Sequence, residues 1–167
     1  SLLRSTMSLQ TGLQLPEVTV FTKSDDGLEA HNLNEWSQGR KIVFFCVPGA
    51  FTQTCSERHL PEFIEHRAKF SERGVDAVVC VAVNDPHVMH AWGKQSGATG
   101  KIEMMADPQA ELAMALQTSK DFGVPLGIRS KRCGFITNDG VVSYAFVEEP
   151  GELTGSSAQA MLAALDN

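Results

Sequence analysis

Two predominantly apolar runs, Arg40 to Val47 and Val75 to Val83, constrain this chain more than any other feature. Neither alternates polar with apolar, so each reads as a strand buried on both faces, as in a sheet covered by helices on either side. Parallel neighbours need a crossover of a dozen or more residues. The chain after Cys55 supplies one, with Leu60, Phe63, Ile64 and Phe70 keeping an approximate apolar face at helical spacing. Pro61 lies inside that pattern and cannot donate to the carbonyl of Glu57. The helix is therefore expected to kink, or to restart with Pro61 as its first residue. Cys55 then sits on a short turn partly uncoupled from the longer helix, free to unwind.

The remaining elements follow in order. Leu15 to Phe21 and Leu28 to Leu33 flank Asp25-Asp26-Gly27 as an N-terminal β-hairpin, and Asn34 is a candidate cap for one helical turn ending near Gly39. Asp85-Pro86 opens a helix that turns Val88, Met89 and Trp92 inward and stops near Gly97. Glu103 to Ala106 is a short strand, and Asp107-Pro108 starts a helix ending about Leu116. Thr118 to Ser130, with Gly123, Pro125 and Gly127, reads as a loop. Arg132 to Thr137 and Val141 to Val147 flank Asn138-Asp139-Gly140, a strong hairpin signal. Ser156 or Ser157 caps a last helix with Met161, Leu162 and Leu165 on its core face. The pattern predicts an α/β fold: a central mixed β-sheet with helices on both faces.

Nothing splits the chain into two domains. Its 167 residues suit one core, over 13–167, with residues 1–12 as an N-terminal extension or an expression remnant. A net charge of −6 without long runs of either sign argues against nucleic acid or an anionic membrane as partner. No apolar stretch approaches the ~20 residues of a bilayer span. The four cysteines, Cys46, Cys55, Cys80 and Cys133, form no C-x-x-C pair, and three lie in strand-like runs. That suits a reducing compartment, the cytoplasm or an organelle matrix such as a mitochondrion or plastid, better than a disulfide framework or a zinc site.

Chemistry concentrates where the first apolar strand meets the helix, at Val47-Pro48-Gly49-Ala50-Phe51-Thr52-Gln53-Thr54-Cys55. A cysteine in the first turn of a helix meets backbone N–H groups without intrahelical partners, which favour thiolate over thiol. Such positions can draw a cysteine from ~8.5 towards roughly 3.5–7.5. By position alone, Cys55 is either a nucleophile or one more small buried hydrophobe.

The motif Pro48-x-x-x-Thr52-x-x-Cys55 resembles the active-site motif of the peroxiredoxins, and Pro48-Gly49-Ala50-Phe51-Thr52 resembles their type II branch. Similarity continues through Val83-Asn84-Asp85-Pro86, Gly127 to Arg132, and Gly151-Glu152-Leu153-Thr154 to Ser157. Gln53 stands where that family usually has proline, which puts the rigidity of the turn in question. The resemblance implies a thioredoxin-like fold, a homodimer, and a cofactor-free thiol peroxidase acting on hydrogen peroxide and organic hydroperoxides. In it Cys55 attacks the peroxide and becomes a sulfenic acid, Thr52 orients the peroxide, Pro48 shields the sulfur, and Arg132 contacts it. A guanidinium suits that place because it stays charged and donates from a fixed fork. Read without the resemblance, Arg129, Lys131 and Arg132 form a solvated basic cluster.

Cys80 resembles the second cysteine of plant-type members, so it is either a resolving thiol or a buried strand residue. Another sub-branch carries its resolving cysteine near the last helix, where this chain has Ser156 and Ser157. Reduction by an outside thiol, glutathione with glutaredoxin or thioredoxin, is therefore expected. Cys46 and Cys133 read as packing residues, and Arg129 as a secondary support. His87 and His90 are three apart but have no third ligand at suitable spacing, so no metal is expected, and His59 and His66 show no partner by spacing. Two rivals remain: a non-enzymatic redox sensor or chaperone using the same cysteine, and a thioredoxin-like disulfide reductase, disfavoured without C-x-x-C.

Overall fold

A computed structural model describes residues 8–167; the extension read over 1–12 lies outside the described residues up to position 7. The chain forms β1 (Thr19–Ser24), β2 (Gly27–Asn32), α1 (Leu33–Ser37), β3 (Lys41–Cys46), a π-helical turn (Cys55–His59), α2 (Leu60–Glu65), α3 (Arg67–Glu72) and β4 (Ala77–Ala82). It continues through α4 (Pro86–Ser96), β5 (Glu103–Ala106), α5 (Glu111–Ala115), β6 (Ser119–Asp121), β7 (Ile128–Ser130), β8 (Cys133–Asn138), β9 (Val141–Val147) and α6 (Ala158–Leu165). Among the described residues no helix is long and apolar enough to cross a membrane.

The seven-stranded sheet has the order β2-β1-β5-β4-β3-β8-β9. The two apolar runs are its central strands, and β3 and β4 pair in parallel with Phe45 opposite Cys80. On the other side β3 pairs antiparallel with β8, with Cys46 opposite Cys133. Because side chains alternate across a strand, these residues divide between two cores. One holds Val43, Phe45, Val78, Cys80 and Cys55 beneath α2, α4 and α6. The other holds Phe44, Cys46, Val79, Cys133 and Phe135 with Leu13, Leu15, Leu112 and Leu116. Leu9 joins the second core, and its N–H donates to the Leu116 carbonyl at 3.0 Å.

Two local readings need correction, and a third is narrowed. The cap of α1 is Asn32, whose Oδ1 accepts from the Glu35 N–H at 3.1 Å; Asn34 instead donates to the Leu15 carbonyl at 2.7 Å. The stretch Thr118 to Ser130 is not all loop, because β6 and β7 pair antiparallel within it. Each is three residues long, too short to show alternation, and of the six residues only Ser130 is buried. Of the two serines offered as cap for α6, Ser157 serves, accepting from the Ala160 N–H at 3.1 Å.

Around Pro61 the helix restarts, beginning at Leu60 rather than at the proline itself. The Leu60 N–H reaches back five residues to the Cys55 carbonyl, a π-turn, and Pro61 falls in the first turn of α2. One wider loop of backbone accommodates the missing proline donor. Cys55 and His59 are the first and last residues of that turn, and both side chains are buried.

Candidate active site

The site lies at the C-terminal end of β3, where the chain turns into the π-turn through residues 47–54. Three side chains hold that loop. Asn84 Oδ1 accepts from the Ala50 N–H at 2.8 Å, Thr52 Oγ1 donates to the Gly49 carbonyl at 2.7 Å, and Arg129 Nη1 donates to the Pro48 carbonyl at 3.0 Å. Phe51 takes a left-handed backbone, φ 62°, uncommon for a bulky residue. Its ring stands 6.3 Å from that of Trp92, whose indole N–H donates to Ser56 Oγ at 3.0 Å. Gln53 is exposed and takes no part in these contacts.

Cys55 is fully buried, whereas Pro48, Thr52 and Arg132 are half-buried. Arg132 comes from the far hairpin, one residue before β8, and its Nη2 donates to Cys55 Sγ at 3.1 Å. Hydrogen bonds from a guanidinium are strongest when the acceptor carries negative charge. The other nitrogen, Nη1, donates to His59 Nδ1 at 2.8 Å. His59 Nε2 in turn donates to the Ser156 carbonyl at 2.8 Å. The ring that accepts at Nδ1 and donates at Nε2 is neutral. Burial is the largest cause, and it drives the His59 pKa from 6.5 down to about 3 against the pull of the Ser156 carbonyl. The ring lies against Phe45 and Phe63, at centroid distances of 4.9 and 5.5 Å.

The loop that offers the Ser156 carbonyl is itself fastened. Glu148 accepts from the N–H and hydroxyl of both Thr154 and Ser156 at 2.7 to 2.9 Å. Burial pushes the Glu148 pKa up, but these four donors together hold it below the ordinary range. The chain Glu148, Ser156, His59, Arg132, Cys55 is thus continuous from the last loop to the sulfur.

His59 is the residue the sequence reading left without a partner. The available signal was its spacing: four residues after Cys55, it shares a helical face with the cysteine. His66 also has a partner, its Nδ1 lying 2.9 Å from the Glu62 carbonyl. Cys80 is buried in β4 within the same core cluster as Cys55; burial first, and then the neighbouring Cys55, push its pKa well up. His90 lies 3.7 Å from Asp25, and among the described residues no group of three or more His, Cys, Asp or Glu side chains could hold a metal ion.

The sequence pattern of the Redoxin family matches residues 10–162. The chain is 42% identical over 164 residues to Peroxiredoxin-2E-2, chloroplastic, of Oryza sativa subsp. japonica, covering 95% of this chain and 73% of that protein. It is 39% identical over 161 residues to Peroxiredoxin-2B of Arabidopsis thaliana, covering 94% and 98% of the two chains. The chain belongs to the type II peroxiredoxins of the Redoxin family. The structure of reduced Prx3 from Vibrio vulnificus in complex with hydrogen peroxide superposes with a TM-score of 0.91 at 39% identity, covering 94% of this chain and 99% of that one. This peroxiredoxin therefore has the thioredoxin-like fold and is a thiol-dependent peroxidase.

Proposed function

We propose that Cys55 is the sulfur that attacks peroxide, that Arg132 and Thr52 hold the peroxide oxygens, and that Pro48 shields the site from water. The observation that carries this reading is the 3.1 Å contact from Arg132 Nη2 to Cys55 Sγ. The sulfur forms a bond to the near oxygen as the O–O bond breaks. The far oxygen leaves with a proton as water or an alcohol, and Cys55 is left as a sulfenic acid. A donor already aimed at the sulfur also faces the oxygens that approach it, which is electrostatic preorganisation. Thr52 has its hydroxyl proton occupied by the Gly49 carbonyl, so its lone pairs are available to a peroxide O–H. His59 acts through Arg132 and is a positioning residue.

Hydrogen peroxide and organic hydroperoxides are the proposed substrates. Glutathione with glutaredoxin, or thioredoxin, is the proposed reductant. Because Cys55 is fully buried, an outside thiol needs the π-turn to open. Cys80 sits mid-strand with paired neighbours on both sides, Phe45 and Met104, which favours packing over resolution. The decisive measurement is peroxide consumption with each reductant supplied in turn. Cys55→Ser is expected to abolish turnover and Cys80→Ser to retain it; retained turnover in Cys55→Ser would refute the assignment.

A second copy of the chain is the proposed partner. Phe51, Val124, Leu126 and Ile128 are exposed apolar side chains. The Arg129 to Pro48 bond brings their two segments together. Sedimentation of the parent and of Val124→Glu/Ile128→Glu separates dimer from monomer. For location, a reducing compartment, cytoplasmic or plastid, fits four free cysteines and relatives both with and without "chloroplastic" in their names.

A further inference from the structure

Cys46 and Cys133 have no part in the peroxide chemistry above. They are direct partners across β3 and β8, and both are buried. In an antiparallel pair the Cα atoms of opposed residues lie about 4.5 or 5.5 Å apart. Both spacings fall within the ~4.4–6.8 Å range of disulfides. The Cβ atoms of opposed residues start ~4.5–5.5 Å apart, so closure to the usual ~3.5–4.5 Å asks for a shift of about 1 Å. The neighbouring Cys133 thiol first, and then burial, push the Cys46 pKa well up.

The pair lies on the face of the sheet away from Cys55. Cys46 and Cys133 belong to the core that holds Phe44 and Phe135, whereas Cys55 and Cys80 belong to the other. A sulfenic acid on Cys55 therefore cannot pass its oxidation directly to this pair. Cys46 instead lines a small cavity of about 10 Å³ together with Asp107, Thr118 and Ser130. That is space of the order of one water molecule with polar groups in its wall.

We propose that Cys46 and Cys133 are a second redox site, a buried dithiol that excess hydrogen peroxide closes into a cross-strand disulfide. In the first step the Cys46 sulfur takes one peroxide oxygen and becomes a sulfenic acid, releasing water. In the second, the Cys133 sulfur displaces that oxygen, which leaves as a second water. Two thiols lose two electrons and two protons, and one peroxide becomes two waters. The bond would join the strand that leads into Pro48 to the strand that follows Arg132. Closure is slow, because the thiolate is the reactive form and the surroundings of Cys46 suppress it there. It does not rest on the peroxidase reading.

The test uses Cys55→Ser/Cys80→Ser, which retains only this pair, treated with excess hydrogen peroxide, then denatured, alkylated and digested. The expected result is a chain lighter by two hydrogens, with neither cysteine alkylated and with Cys46 and Cys133 recovered in joined peptides. Dithiothreitol should restore both thiols. The rate should be at least ~100-fold below loss of the Cys55 thiol in the parent chain. Two alkylatable thiols, a sulfinic or sulfonic acid on either cysteine, or linkage between chains instead of within one would overturn the proposal. If the double variant does not fold, the parent chain after the same treatment decides the matter. A Cys46–Cys133 linkage there supports the proposal; free thiols, or linkage only to Cys55 or Cys80, refute it.

Discussion

Arg132 serves two acceptors with one planar head group, Cys55 Sγ through Nη2 and His59 Nδ1 through Nη1. Lysine carries the same charge but concentrates it on one nitrogen, so it cannot span both at fixed angles. Arg132→Lys is expected to lower kcat/KM for peroxide by ~10²-fold, the cost of removing one preorganised donor; stopped-flow loss of peroxide measures it. His59 matters for a different reason. Its Nδ1 lone pair aims the guanidinium, and a phenylalanine of similar shape would leave Nη1 unpaired. His59→Phe should therefore slow the reaction with peroxide while leaving the far-ultraviolet circular dichroism unchanged. Of these two residues only Arg132 was identified from sequence, through its match to a family motif. A histidine's partner 73 positions away leaves no trace in local spacing.

At the scale of elements, the loop after β3 depends on a glycine for close approach. A Cβ on Gly49 would run into Arg129 Nη1 and come within 3.3 Å of the Thr52 methyl. Gly49→Ala is expected to push Arg129 off the Pro48 carbonyl and to cost about 1 kcal/mol, the worth of that hydrogen bond. Truncating the obstructing side chain removes the clash, so Gly49→Ala/Arg129→Ala should cost less than the two single changes added. Urea unfolding of the four chains completes that cycle. Much of the element order was legible: β5 spans the expected Glu103–Ala106, and Asp85 caps α4 by accepting from the Val88 N–H. The β6–β7 pair was not legible, because strands of three residues with only Ser130 buried bury too little to impose a pattern. The π-turn escaped notice as well. Proline at 61 announces a departure from regular helix, but whether the chain kinks or widens is decided by what packs around it.

For the whole molecule, acid should act through His59 first. The unfolded chain takes up a proton near pH 6.5, whereas the folded chain resists protonation down to about 3. A depressed folded pKa means the unfolded state binds more protons across that window, so stability falls as pH falls, by up to ~1.4 kcal/mol per unit. Glu148, whose folded pKa is held low, adds to the loss below about 4.5. Asp107 opposes both, since burial raises its pKa. Unfolding free energies from pH 7 to 5 should drop in the parent and vary less in His59→Phe. The stack beneath that ring ties the site to the core: Phe45 and Phe63 lie parallel at 4.0 Å, and Phe63 and Phe70 follow at 5.5 Å. Phe63→Ala is expected to cost ~3–5 kcal/mol in unfolding measurements.

Local chemistry alone determined that β3 and β4 are buried, that helices cover them, and that Cys55 lies in the first turn of a helical segment behind a Pro-x-x-x-Thr-x-x-Cys signature. Those features depend on neighbours in the chain, where hydrophobic period, caps and prolines act directly. Only the tertiary structure decided that Arg132 and Ser156 converge on His59, and that Cys46 meets Cys133 rather than Cys80. Such meetings depend on sheet register and on which face each strand turns to which core. A shift of one residue would exchange the faces and leave the local pattern almost unaltered.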